Sequence, residues 1–222
     1  MKTKFQDARE IITLSDNEEN NNKLYNRASE INPSLEGNLQ REITLALKRT
    51  IEKNNITALS APAIGYDKRI FCIKFDNEIK TFINPLIVKA EGIQLARERC
   101  TSIPGKEFIV PRNTTINVMY QRPMGKTESR QLAGLAAYVF QHEVQHLDGL
   151  LLSDFALEID SDWDNATEEE REEVIKFYLE SLDLKEKELD TEIKENPELK
   201  QLSDAIDFMT SVYKGETKLE RS

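Results

Sequence analysis

The stretch Gln141–Gly149, reading QHEVQHLDG, constrains this chain most, because it holds both histidines of the 222 residues, four positions apart. On a helix, side chains at i and i+4 leave the same face. His142 and His146 can therefore reach one divalent metal ion, with Glu143 beside them. Two neutral imidazoles and one further ligand hold such an ion with a position open to water, whose proton a nearby glutamate can move. An H-E-x-x-H string also arises by chance on polar helices, where its histidines are ordinary surface residues. Here Leu132, Leu135, Ala136, Val139 and Phe140 precede it at helical spacing, which predicts a helix with an apolar flank, where unpartnered polar groups are costly. The first expectation is a metal-dependent hydrolase.

A hydrophobic share of 39% and a charged share of 32% describe a globular chain rather than a disordered or membrane-spanning one. The length suits one domain with an appendage. Asp7, Glu10, Asp16, Glu18 and Glu19 near the start, with no apolar h-region, argue against a targeting peptide and for the cytoplasm. Two cysteines are too few for a disulfide framework, though a single disulfide stays open. The net charge of -10 is uneven: from Ser153 onward there are 22 acidic and 9 basic residues, which leaves the first 152 residues at +3. Neither part looks like a nucleic-acid groove.

Residues 1–33 read as an irregular, asparagine-rich arm. Leu39, Ile43, Ala46, Leu47, Thr50 and Ile51 predict a core-facing helix that stops at Asn54-Asn55. Arg69–Phe75 and Lys80–Ala90 are β-branched and aromatic enough to be strands, and Cys72 inside the first reads as a buried, inert thiol. Ile93–Pro104 is a further strand candidate, and Ile109–Pro111 with Thr115–Tyr120 another. Arg122–Thr127 reads as a turn and Glu128–Gln131 as a short lead into the motif helix. A run of strands before that helix suggests an α+β fold, with antiparallel sheets packed around a central metal-binding helix. Cys100 is the natural third ligand, with a buried, unliganded cysteine as the alternative.

Beyond the body, Thr167 and Glu170 form a capping-box pattern, followed by Val174, Ile175, Tyr178, Leu179, Leu182 and Leu189 at near-helical spacing. A second helix is predicted to open at Asn196-Pro197, carry Leu199, Leu202, Ile206, Met209 and Tyr213 on one face, and end at Gly215. The chain thus divides into a catalytic body, 1–155, and an acidic extension, 156–222, whose helical hairpin is expected to pack on its own body.

Three stretches in order, ITALSAPAIG at 56–65, ERCTSIPG at 98–105 and QHEVQHLDG at 141–149, resemble the three motifs of the peptide deformylase family. LYNRASEI at 24–31, FINPLIVKAEG at 82–92 and VPR at 110–112 extend the likeness, so that it covers about residues 24–155. The resemblance implies hydrolysis of the formyl amide on the N-terminal methionine of newly made polypeptides, with formate as the second product. It implies that Cys100, His142 and His146 hold the metal, most commonly Fe(II) with Zn or Ni tolerated. Glu143 would be the general acid and base, and the Thr101 backbone N–H an oxyanion donor. Glu98 and Arg112 match an ion pair that braces the cysteine loop. Leu135, Tyr138 and Val139 match positions lining the methionine pocket, where core packing is the competing role.

Four positions depart from the family pattern. Ala63 stands where the family has an oxyanion-binding glutamine, and loss of one such donor costs about 10² to 10³ in rate. Arg99 replaces the glycine before the cysteine, Ala58 a glycine where substrate backbone passes, and Gln145 the aspartate between the histidines. The expectation is a slow deformylase-type hydrolase acting on formyl-methionyl peptides, including nascent chains at the ribosome. The alternative is a deformylase-like protein that keeps its metal as a binding or regulatory module. A protease of the H-E-x-x-H type is disfavoured, since Cys100 is a better-matched third ligand than any downstream acid. The acidic extension does not match the basic ribosome-binding helix of bacterial relatives, and no membrane or direct nucleic-acid partner is expected.

Overall fold

The chain forms, in order, α1 (Glu18–Tyr25), α2 (Gly37–Asn54), β1 (Ala58–Ser60), a 3-10 turn (Pro62–Ile64), β2 (Ile70–Phe75), β3 (Glu78–Glu91), β4 (Gln94–Cys100) and β5 (Ile103–Arg112). β6 (Thr115–Gln121), β7 (Thr127–Ala133), α3 (Leu135–Leu147), α4 (Leu152–Phe155), β8 (Leu157–Ile159), α5 (168–174) and α6 (Lys200–Tyr213) follow. This computed structural model describes residues 7–15, 17–76, 78–123, 125–174, 176–178, 180 and 200–213. They belong to two units, one made of Met1–Glu91 with Asn113–Gly149, the other of Gly92–Arg112 with Leu150–Ser222.

In the first unit five strands pair antiparallel in the order β1-β2-β3-β6-β7. The apolar run of β2 is explained by burial on both faces, because successive side chains alternate across a strand. Ile70 and Cys72 point into a cluster with Ile43, Leu47 and Ile51 of α2, while Phe71 and Ile73 join Phe82, Ile116, Val118 and the α3 residues Ala137, Phe140 and Leu147. Phe140 meets the rings of Phe71 and Phe82 edge-on at centroid distances of 5.0 and 5.3 Å, a favoured aromatic arrangement. α2 ends where the asparagine pair predicts: Asn55 takes the left-handed conformation at φ 50°, which asparagine tolerates better than most residues. The thiol of Cys72 is fully buried, and desolvation pushes it up to about 12, so it is inert as expected.

Three local expectations are corrected. The asparagine-rich arm contains α1, started by Asn17, whose side chain accepts from the Asn20 N–H at 3.1 Å; the cap supplies an order that the polar composition hides. The residues before the motif helix are not a lead but the strand β7, in register with β6 from Thr115↔Ala133 to Gln121↔Thr127. Pairing to a neighbour outweighs the weak β-propensity of TESRQLA, and Leu132 is buried on that strand rather than in the helix. Ile109–Pro111 and Thr115–Tyr120 lie on two strands, β5 and β6, in different sheets.

In the second unit β4, β5 and β8 form an antiparallel sheet. Thr167 and Glu170 make the predicted capping box, with the Thr167 N–H donating to Oε2 at 2.7 Å and the Glu170 N–H to the threonine hydroxyl at 3.2 Å. α6 packs on α4 and β5 with Ser203 and Ile206 buried, so this helix covers apolar surface of its own unit. The expected helical positions Ile175, Leu179, Leu182, Leu189, Asn196, Pro197, Leu199 and Gly215, and the side chains of Met209 and Tyr213, lie outside the described residues. Among the described residues no helix is long and apolar enough to cross a membrane.

The motif stretch ends on Gly149, at φ +75°, where an added Cβ would collide with the carbonyl of Tyr25. Both the positive φ and the backbone contact exclude a side chain. Gly149→Ala is expected to cost roughly 2–4 kcal/mol of stability, read as a lower urea midpoint; a midpoint within error of wild type would refute the packing described.

Candidate active site

The rotation of α3 about its axis is set at several points within the first unit. Gln141, nearly buried, donates from Nε2 to the carbonyls of Asn113 and Ala137, each at 3.0 Å, and accepts the Asn113 N–H at Oε1, also at 3.0 Å. At the C-terminal end the Leu147 carbonyl accepts the Ala28 N–H at 2.8 Å and Arg69 Nη1 at 3.1 Å, and the same Arg69 nitrogen binds Asp148 Oδ1 at 2.6 Å. The sequence pattern alone gives Gln141 no role. The signal available was a glutamine directly after Phe140 on the buried side of the helix, where an amide has to find partners.

With the helix so held, His142 and His146 turn to one side, their Nε2 atoms 3.1 Å apart and their rings inclined at 67°. Two nitrogens held about 2.0–2.1 Å from one ion at a near-tetrahedral angle lie roughly 3.3 Å apart. The pair therefore fits two ligands of one metal without rearrangement. His146 and Glu143 are 5% and 4% exposed, His142 is half-buried, and Gln145 lies between the histidines on the same helix.

The other first-unit candidates are placed as follows. Ala63 sits in the 3-10 turn, buried in the α2-facing cluster, with its carbonyl accepting the Ile12 N–H at 2.8 Å. Its methyl offers no donor. Ala58 opens β1 opposite Ile73. Tyr138 and Val139 are half-buried against the aromatic cluster, so core packing accounts for part of each side chain, whereas Leu135 is 71% exposed.

In the second unit Cys100 closes β4 opposite Ile103, after a register shift between Glu98 and Cys100, with its thiol buried and Thr101 exposed in the turn that follows. Glu98 and Arg112 form a two-pronged pair, Nε to Oε1 and Nη2 to Oε2 both at 2.7 Å, and Arg112 is 1% exposed. This geometry clasps β4 to β5 on the strand that carries the cysteine. Arg99 is mostly exposed and pairs with Glu107 at 2.5 Å, so its charge is shared with a carboxylate. Arg97 binds the same Glu107 and both oxygens of Asp164 at 2.8 Å. Its hydrogen bonds are the main reason that Glu107 and Asp164 are held below the usual carboxylate range.

Fold and helix together define a class: an α+β protein with antiparallel sheet and a buried H-E-x-x-H helix. Residues 8–161 match the polypeptide deformylase family, and the chain belongs to that family. It is 36% identical over 118 residues to a peptide deformylase of Dictyoglomus thermophilum, covering 53% of this chain and 77% of that protein. To the peptide deformylase of Dictyoglomus turgidum it is 38% identical over 109 residues, covering 49% and 71%. The crystal structure of peptide deformylase from Thermotoga maritima superposes with a TM-score of 0.60 at 30% identity, covering 66% of this chain and 96% of that one.

Breaking a buried ion pair on one side leaves an uncompensated charge, at a cost of about 3–5 kcal/mol. Arg112→Met is expected to lose that much in urea unfolding, and Arg112→Met with Glu98→Met to recover most of it; a single variant as stable as wild type would refute the clasp. The Arg97 pairs carry a sign. Carboxyls depressed in the folded state stabilise it above their unfolded pKa, and that contribution is lost as pH falls through the folded value. Arg97→Met should therefore move the acid-unfolding midpoint, followed by circular dichroism at low salt, to higher pH; an unmoved midpoint would count against the pairs.

Proposed function

We propose that this chain is a metal-dependent hydrolase that removes the N-formyl group from formyl-methionyl peptides of newly made proteins. The observation that carries this reading is the pair of Nε2 atoms 3.1 Å apart beside a buried Glu143, on the best-kept motif of a chain in the polypeptide deformylase family. We assign the metal to Cys100, His142 and His146, a thiolate and two imidazoles, a donor set suited to Fe(II) and also to Zn or Ni. An ion held there supplies Lewis acidity toward the formyl carbonyl and makes water a better nucleophile at neutral pH.

The chain's own groups do the rest. Glu143 takes the proton of the attacking water and delivers it to the leaving amine, so that a C–O bond forms, the formyl C–N bond breaks, and formate and a free N-terminus result. The Thr101 N–H donates to the developing oxyanion. Leu135, Tyr138 and Val139 receive the methionine side chain, Arg99 and Ala58 flank the peptide, and Glu98 with Arg112 positions the cysteine strand. Residues 1–155 form the catalytic body and 156–222 an appended acidic extension. The work falls in the cytoplasm, on nascent chains at the ribosome.

Ala63 favours a slow enzyme, since its position supplies no side-chain donor. The same observation supports a second reading, a metal-keeping module without turnover. Formate release from a formyl-Met peptide after anaerobic loading with ferrous iron separates the two. Wild type is expected to exceed Glu143→Ala by about 10²-fold or more, and Ala63→Gln to be faster than wild type by up to about 10²-fold. Formate no higher than in Glu143→Ala would sink the enzyme reading. Metal content should fall in Cys100→Ala, and unchanged content would remove Cys100 from the ligand set.

A further inference from the structure

An open groove of about 620 Å³ lies wholly within the second unit, between the loop after β8 and helix α5. Its apolar wall is made by Trp163, Val174 and Phe177, the last two 45% and 74% exposed. Its rim carries Asp160, Asp162 and Glu173. The loop is held in shape by defined contacts. Arg171 lies over the Trp163 ring at 5.7 Å and donates to the carbonyls of Trp163 and Asp164 at 3.1 and 3.2 Å, and Arg97 grips the Asp164 carboxylate at 2.8 Å. An exposed aromatic beside an exposed aliphatic, framed mainly by carboxylates, is the composition of an interaction surface rather than of solvated helix.

We propose that this groove docks a basic peptide segment of another protein, one that presents an aromatic or aliphatic side chain flanked by lysine or arginine. The apolar wall would seat the anchor and the acidic rim would pair with the flanking cations. Charge complementarity selects the occupant: the carboxylates outnumber Arg171, whose guanidinium is already engaged by the loop. An acidic segment or a nucleic acid would be repelled. The groove lies outside the residues assigned to hydrolysis, so the proposal is independent of turnover.

Fluorescence anisotropy on the full chain with three labelled octapeptides tests it: a lysine-rich peptide with a central tryptophan, the same peptide with glycine for tryptophan, and its glutamate counterpart. The tryptophan peptide is expected to bind, the glycine peptide about tenfold more weakly, as befits loss of one anchor, and the glutamate peptide not at all. Phe177→Ser, at an exposed position that leaves the fold and net charge intact, should reduce tryptophan-peptide affinity about tenfold. Asp162→Lys with Glu173→Lys should abolish it, while Glu18→Lys with Glu19→Lys, an equal charge change elsewhere, should leave the tenfold preference for tryptophan over glycine. Equal binding of the two lysine peptides, or indifference to Phe177→Ser, would reduce the effect to bulk charge and overturn the proposal. So would sedimentation showing that Phe177→Ser dissolves a dimer without changing peptide affinity, since the groove would then be a self-interface.

Discussion

The orientation of one helix governs what the first unit can do. His142 and His146 converge only if α3 is held at one rotation and one height, and a turn of a helix moves side chains by several ångströms. Apolar packing of Ala137, Phe140 and Leu147 fixes which face looks into the sheet, but such packing is tolerant of small slides. Directional bonds remove that freedom: the amide of Gln141 on the backbone of Asn113, and Ala28 with Arg69 on the last carbonyl of the helix. Gly149 then lets the chain turn away against Tyr25, where no other residue fits. The motif thus includes its own supports, with the glutamine before the histidines and the glycine after them acting through geometry to aim the pair that the proposed function uses.

Much of this was legible in the sequence because it depends on local rules. The four-residue spacing of the histidines, the asparagine stop of α2, the apolar strand β2 and the Thr167–Glu170 cap are short-range features and occur where spacing predicts. What was hidden depends on partners distant in sequence. β7 is a strand because β6 pairs with it, although TESRQLA has little intrinsic preference for one. α1 opens on an asparagine cap inside a polar stretch and is anchored by the buried Leu24 alone among its residues. β5 begins just past the cysteine because the chain reverses at Thr101 and Ser102 and pairs Cys100 with Ile103, a reversal that the apolar pattern of the run from Ile93 to Pro104 does not mark. The roles of Gln141 and Arg69 are faint in the sequence for the same reason, since Gln141 acts on the backbone of Asn113 and Ala137, and Arg69 on the Leu147 carbonyl and the distant Asp148 carboxylate.

On the proposed function, Ala63 would leave the ligand set in place and remove one oxyanion donor. A glutamine replaced by alanine on an exposed loop would leave room for water to stand in as a donor. Here the methyl is 2% exposed among Ile43, Leu59 and Ile70, so the position has become part of the core. Its backbone still serves the fold, through the carbonyl that holds Ile12. The change is thus comfortable for stability, and any penalty falls on a transition state that needs one more hydrogen bond than the ground state does. Selection on folding alone would not remove it. On the proposed function, the missing donor would lower turnover, whereas metal affinity, which would depend on Cys100, His142 and His146 and not on residue 63, would be unaffected.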